Sequence, residues 1–546
     1  MNQKNLRLGK LIKETFAYLS IVSFSLFPLT SFAETLRLTE TTLTEVNQAL
    51  DKGAITSEQL VKLYLKRIET YEDQGPKINA IISLNPNAIA EAIALDSERR
   101  KIGSRGPLHG IPIIVKDNYN TKNIPTTAGS ILLNNSLPPD DAFTIKKLRD
   151  AGAIILAKAN MSEFAESYGW LGYSSLGGLT LNPYKLTRNP SGSSGGSGAA
   201  IAASFAVLAT GTDTSGSIRG PASVAGIVGI KPTQGLVSRD GIVPLTLSFD
   251  SAGPMTKTVR DGAIALGIMA GVDGNDPRTL DSQGKSYQDY TQFLDKKALQ
   301  GAKIGAVIDF NGGNEEVDAL TQQAVNKLKE LGAEVVIVDL PKKLENLWPL
   351  MEEVTEAEFE PQLENYLQTL TGSVPKSLKR LITLALSKAI AQSTNPLNPG
   401  RIRGAQASLD HRGLADSRYL YITQYEFPSV RNILTSIMES QNIDGMIFPT
   451  MRCPASPIYT INNDPTYKCD IDDPYTPGYL ANVSGFPGIS VPMGFTKEGL
   501  PVGLTFFGLS YSEPTLLGFA YAYEQATQFR SSPASTPSLS GETIDY

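Results

Sequence analysis

From Thr39 to Glu72 the apolar residues fall at helical spacing, with Ile55, Leu60, Leu63, Tyr64, Ile68 and Tyr71 on one face. The pattern predicts amphipathic helix, and Thr56 or Ser57 is placed to cap it, since a hydroxyl there accepts from a first-turn amide that has no other partner. A second helical pattern covers Ala88 to Arg100. The rhythm then changes: Ile111 to Val115 is a short unbroken apolar run, Phe143 to Ala151 is helical again, and Ala153 to Ala157 is another apolar run. Strand-like and helical segments that alternate in this way predict a layered α/β core.

Further along, VDALTQQAVNKLKELGAEVVIVDL reads as an amphipathic helix followed by a strand, at the head of a helix-rich stretch from Glu315 to Ser440. Strand-like runs return between Ile443 and Phe507, in GMIFPT, GISVPMG and GLTFFG, and are expected to complete the sheet. Although the length alone suggests about three domains, the expected fold class is α/β. It is expected as a single compact domain over residues 34–546, with a central, mostly parallel or mixed twisted sheet flanked by helices.

Met1 to Ala33 has a basic start (Lys4, Arg7, Lys10, Lys13), an apolar stretch from Phe16 to Leu29 and small residues at Ser31-Phe32-Ala33, the layout of a secretory signal peptide. An uncleaved anchor is the alternative, but the apolar part is short and interrupted by serine. The expected localisation is exported, periplasmic or secreted. With the leader removed, no membrane association is expected.

The formal net charge of −6 disfavours a nucleic-acid or anionic-membrane partner. Two cysteines, Cys453 and Cys469, are too few for a disulfide scaffold and lack metal-ligand spacing to histidine. Export allows one bridge between them, and the sequence leaves open whether it forms.

The most informative stretch runs from Asn189 to Pro232 and reads, at its centre, SGSSGGSGAAIAASFAVLATGTDTSGSIRGPASVAGIVGIKP. Two serine-bearing glycine turns flank one apolar element. A flexible linker would not continue at once into Ala199 to Leu208. Glycine at this density lets backbone amides approach a ligand closely, so each turn can set a hydroxyl beside free N–H groups, as acyl transfer requires.

A serine nucleophile needs a base, and the chain has two histidines. His411, in LDHRGL, sits in a charged stretch, and His109, in PLHGIP, stands at the entry to an apolar run. Both read as structural. Lys116, in GIPIIVKDN, ends a buried strand and must either find a counter-ion, with Asp117 the adjacent choice, or lose its proton. Free lysine titrates near pH ~10.4, and a drop of roughly three units corresponds to about 4 kcal/mol of differential solvation. A neutral lysine can act as a general base.

PLHGIPIIVKDN, NPSGSSGGSGAAIAA, GTDTSGSIRGPAS and GIVGIKPTQGLVSRDGIVPLTLSFDSAGPM, in this order and spacing, resemble the amidase signature family over about Thr39 to Phe529. Within it the chain is most similar to the peptide amidase and related bacterial amidase branch, through LVSRDGIVPL, ANVSGFPGISVPMG and GLPVGLTFFG. The resemblance implies a Ser-Ser-Lys triad. Ser217 matches the nucleophile, Ser193, after a cis Gly192–Ser193 bond, matches the bridging serine, and Lys116 matches the base.

The amides of Thr214, Ser215, Gly216 and Ser217 match the oxyanion hole, with Ser215 standing where the family commonly has the first of two glycines. Asp213 and Arg219 read as a structural pair. The 315–440 stretch matches the family's variable cover over the cleft, and Tyr168, Gly169, Trp170 and Trp348 are candidates to line it. The activity implied is hydrolysis of carboxylic amides without metal or organic cofactor by a monomer or homodimer, on a small amide or peptide-amide substrate. Two alternatives stay open: the glutamine-hydrolysing component of a tRNA amidotransferase, and a non-catalytic binding protein on the same scaffold.

Overall fold

The computed structural model describes residues 35–461 and 463–546, so the leader read at 1–33 lies outside them. The first helical pattern resolves into two helices, Leu43–Asp51 and Ser57–Ile68, each opened by a threonine capping box. Of the two caps the sequence offered, the structure uses Thr56: its hydroxyl accepts from the Gln59 amide at 3.2 Å, and its own amide donates to Gln59 Oε1 at 2.9 Å.

Eleven strands form the central sheet. In chain order they are β1 (Ile81–Leu84), β2 (Pro112–Lys116), β3 (Ile154–Ala159), β4 (Leu208–Asp213), β5 (Val228–Lys231), β6 (Ser251–Thr256), β7 (Lys303–Val307), β8 (Glu334–Val338), β9 (Gly445–Pro449), β10 (Gly488–Phe495) and β11 (Pro501–Phe507). Across the sheet the order is β8-β7-β9-β11-β10-β5-β6-β4-β2-β3-β1. The sheet is mixed: β2 runs parallel to β3 and β4, while β6 is antiparallel to both β4 and β5.

Every residue of β2, β3, β4 and β6 is buried, and β2 and β3 accordingly read as apolar runs and not as alternating ones, whereas β4 and β6 carry Thr, Ser and Gly. Helices Gly195–Ala202, Val259–Met269 and Glu513–Thr527 pack on the sheet. The strands at 445–507 lie inside the sheet, as expected, and not at its margin.

Both ends of the described chain close on the same region. Thr35–Arg37 pairs antiparallel with Thr543–Asp545, and the buried Arg67 guanidinium meets Glu542 at 2.6 Å. Residues 35–546 form one compact unit, matching the single α/β domain expected. Helices Trp348–Thr369, Leu378–Ala385 and Pro399–Asp410 share an apolar cluster with Met161, Phe164 and Ala165. The helical stretch is thereby seated on the segment that follows β3 and builds one wall of the site.

Candidate active site

Lys116 is the last residue of β2, between β3 and β4, and is fully buried. Its Nζ lies 2.8 Å from Ser193 Oγ, donates to Thr212 Oγ1 at 2.7 Å and reaches the Thr212 carbonyl at 3.4 Å. Asp117 is not its partner. That carboxylate accepts from Thr127 Oγ1 and the amides of Thr127 and Gly129, and its other oxygen faces Lys158 at 3.4 Å. Burial pushes Lys116 down to about 7, against the opposing pull of Asp250 and Asp213. A neutral amine has two N–H groups and one lone pair. With Thr212 accepting both hydrogens, the lone pair is left for the Ser193 hydroxyl.

Ser193 sits in the turn that opens helix Gly195–Ala202, after a cis Gly192–Ser193 peptide bond. The glycines here permit close approach: a Cβ at Gly196 would meet the Asn160 carbonyl oxygen at 2.2 Å. Ser194 and Ser197 tie the same segment to β4, donating to the carbonyls of Thr212 (3.2 Å) and Thr210 (2.8 Å). The Ser194 amide donates to the Ser217 carbonyl at 3.3 Å, so the two serine turns are bonded to each other.

The turn that carries Ser217 is built on Asp213, at the end of β4. Its carboxylate accepts from the amides of Gly216 (2.8 Å), Ile218 (3.1 Å) and Arg219 (3.3 Å), from Arg219 Nε and Nη2 (3.0 and 2.9 Å) and from Asn482 Nδ2 (2.9 Å). Burial opposes the charge on Asp213, but the Arg219 guanidinium, with Lys231 and Asn482, outweighs it and holds the carboxyl well below the usual range. Asp213 and Arg219 therefore both pair with each other and cap the turn, the structural role expected of them.

One element of the expected oxyanion hole changes. The Gly216 amide is claimed by Asp213, which leaves the amides of Thr214, Ser215 and Ser217 with no protein acceptor among the described residues. Gly216 has φ +104°, where glycine is needed, while Ser215 has no positive φ. The turn thus accepts a side chain at the first of the two positions and not at the second.

Ser217 is 5% exposed and borders a cavity of about 480 Å³. No hydrogen bond joins the Ser193 and Ser217 hydroxyls in this structure, so the expected relay is made from Lys116 to Ser193. Catalytic hydrogen bonds of a free site commonly tighten only in the substrate complex.

Tyr168, Gly169 and Trp348 line the cavity as expected, but Trp170 does not. Its ring stacks on Tyr459 at 4.2 Å between centroids and is spent on packing. The opposite wall comes from residues 451–479, with Tyr467, Tyr475 and Tyr479. Cys453 and Cys469 are joined by a disulfide, and Cys469 borders the cavity. Glu166, Asp472 and Asp473 also line it, while no Lys, Arg or His is found among the described lining residues.

Sequence reasoning did not single out Thr212, Asn118, Asp250 or the 451–479 wall. Thr212 and Asp250 stand inside the motifs GTDTSGS and LSFDSAGPM, where only the match and no isolated chemistry marks them. Neither histidine serves a serine. The buried His109 accepts from the Arg105 amide at Nδ1 and pairs Nε2 with the Leu95 carbonyl, and His411 meets Glu353 at Nε2 and accepts from the Gly413 amide at Nδ1.

The family model described as Amidase matches residues 59–517. Among curated relatives, a glutamyl-tRNA(Gln) amidotransferase subunit from Thermoanaerobacter pseudethanolicus is 36% identical, over 91% of this chain and 99% of its own. Among solved structures, the native peptide amidase of Stenotrophomonas maltophilia is 37% identical with a TM-score of 0.82, over 91% of this chain and 99% of its own. The corresponding glutamyl-tRNA(Gln) amidotransferase subunit from Thermotoga maritima is 29% identical with a TM-score of 0.67, over 89% of this chain and 95% of its own. With the family model covering most of its length and relatives above 30% identity aligned nearly end to end, the chain belongs to the amidase signature family, whose members act on amide C–N bonds.

Proposed function

We propose that the chain is a serine hydrolase of carboxamides. The observation that carries this reading is Lys116: buried, hydrogen-bonded to no carboxylate among the described residues, and 2.8 Å from Ser193. Neutral Lys116 takes the Ser193 proton as Ser193 takes that of Ser217, and Ser217 Oγ bonds to the carbonyl carbon. The amides of Thr214, Ser215 and Ser217 hold the oxyanion. As the C–N bond breaks, the proton returns through Ser193 to the leaving ammonia or amine. Water then attacks the acyl-enzyme by the same relay.

For the substrate we infer a primary carboxamide without a free carboxylate, such as the C-terminal amide of a short peptide. Two observations support this. The cavity is lined by Asp472 and Asp473, and by Glu166 whose carboxylate is paired with Arg401 at 3.1 Å, with no cation among its described lining residues, and the likeness to the peptide amidase is 37% at a TM-score of 0.82. The leader composition at 1–33 supports an exported enzyme meeting such substrates outside the cytoplasm.

A second reading is an amidotransferase component using glutamine as its ammonia source. The curated relatives favour it, at 36% identity over 91% of the chain. Free glutamine carries an α-carboxylate beside its α-ammonium, and the described cavity lining offers no cation to pair with that carboxylate. Ammonia or amine release from peptide amides, amino-acid amides, aryl amides and free glutamine separates the readings. Turnover of glutamine alone would replace the first by the second, and turnover of aryl amides alone would remove the peptide-amide reading.

A further inference from the structure

Asp213 ends β4 opposite Ser251, the first residue of antiparallel β6. One step further along each strand, Thr214 meets Asp250. The Thr214 hydroxyl donates to Asp250 Oδ1 at 2.5 Å, and Asp250 Oδ2 accepts from the amides of Leu245 (2.9 Å) and Thr246 (3.1 Å). Both carboxylate oxygens are thus fixed in a site only 8% exposed. Asp250 and Thr214 also share a small cavity with Thr212 and Asn118, and Thr212 is the residue that accepts from Lys116.

We propose that Asp250 is a positioning residue for amide hydrolysis, holding the oxyanion turn through Thr214 and presenting a negative charge to Lys116. This inference rests on the catalytic reading of Lys116, Ser193 and Ser217 given above.

The charges around the base single Asp250 out. The acidic groups acting on Lys116 are Asp250 and Asp213. Asp213 is bound to Arg219 at 2.9 Å, and Asp117, next in sequence, faces Lys158. Asp250 has no ion-pair partner within hydrogen-bond reach among the described residues. Arg239, which acts on it more weakly than its hydrogen bonds do, is committed to Asp276 at 2.6 Å. Burial raises Asp250 to about 6, against its bonds to Thr214, Leu245 and Thr246, so at neutral pH it is largely ionised. Its charge stabilises the ammonium form of Lys116 against the burial that lowers it.

The test uses an alkyl fluorophosphonate, which reports the nucleophile without knowledge of the substrate. Ser217 Oγ bonds to phosphorus, fluoride leaves, and the proton passes through Ser193 to Lys116. The second-order labelling rate is measured from pH 5 to 9 for the full chain and for Asp250→Asn, Thr214→Val, Thr214→Ser and Ser217→Ala, each checked for folding by circular dichroism. Asp250→Asn removes the charge, so the ammonium form is less favoured and the acid limb is expected to move down by about half a pH unit or more. Thr214→Val loses the link between Asp250 and the turn. Its rate is expected to fall about tenfold, part of what losing an oxyanion donor costs, and Thr214→Ser is expected to recover most of that loss.

A folded Asp250→Asn with an unmoved limb, or Thr214→Val at the wild-type rate, would overturn the proposal. An unlabelled wild type, or labelling that persists in Ser217→Ala, would remove the catalytic reading beneath it. That failure is distinguishable, because failure of the Asp250 role alone leaves wild-type labelling at Ser217 intact.

Discussion

Lys116 Nζ stands 2.8 Å from Ser193 Oγ, although their residues are 77 positions apart in sequence and come from a strand end and a glycine turn. The contact makes the three candidate residues unequal. Ser217→Ala is expected to lower turnover by about 10⁴-fold or more, as for other serine nucleophiles. Lys116→Ala is expected to lose about 10²- to 10⁴-fold. Ser193→Ala is expected to lose less than Lys116→Ala, because a water in the vacated space can carry the proton. Steady-state ammonia release on a peptide amide checks the order, and a Ser193 variant more damaged than the Ser217 variant would contradict it.

His109 provides the control for a lysine base. Both ring nitrogens are engaged with local backbone, so His109→Ala is expected to cost about 1–3 kcal/mol of stability. The acid limb of its pH–rate profile is expected to stay in place. Urea unfolding together with that profile tests both parts, and a displaced limb at unchanged stability would assign His109 a chemical role.

The Asp213–Arg219 pair holds the Ser217 turn from behind, with the two side chains 0% and 1% exposed. Arg219→Ala leaves a buried carboxylate without its cation and is expected to cost about 3–5 kcal/mol. Activity is expected to fall with it, because Asp213 fixes three amides of the turn. Urea unfolding measures the cost, and a loss below about 1 kcal/mol would mean that Asn482 and the amides suffice.

The Cys453–Cys469 bridge has a sequence separation of 16, and this loop carries Tyr467 into the cavity wall. Replacing both cysteines with serine is expected to cost about 3 kcal/mol through the freedom returned to the unfolded chain. The loop borders the cavity and holds no triad residue, so KM is expected to rise more than kcat falls. An unchanged KM would show that Arg188, paired with Asp464 at 2.9 Å, holds the wall without the bridge.

What the sequence made legible follows a physical division. Lys116, Ser193 and Ser217 lie in glycine-rich or strand-end motifs whose local geometry is encoded nearby, and β2 and β3 announced themselves as apolar runs, whereas the buried β4 and β6, rich in Thr, Ser and Gly, did not. Partner choice was not legible. Asp117 was the alternative partner for Lys116 by adjacency, but it stands in the turn beyond the end of β2, and Lys158 on β3 takes its carboxylate. Likewise the Gly216 amide looked free, yet Asp213 lies beneath it, and Trp170 looked like cleft lining, yet Tyr459, from a loop nearly 300 residues on, covers its ring. Such contacts depend on how the sheet assembles and leave no local pattern.

The charge of Lys116 decides whether this relay can run. In a lysine general base the neutral form is active, so activity rises with pH through the apparent pKa of the residue and is lost below it. Burial places that titration at about 7. The direct measurement is an NMR titration of protein labelled with ¹³C at lysine Cε, in the Ser217→Ala background so that no acylation intervenes, with the Lys116 signal assigned by its loss in Lys116→Arg. A midpoint near 7 is the expected result. A midpoint near ~10.4, the value of free lysine, would mean that Lys116 remains an ammonium at working pH and would contradict its role as the base.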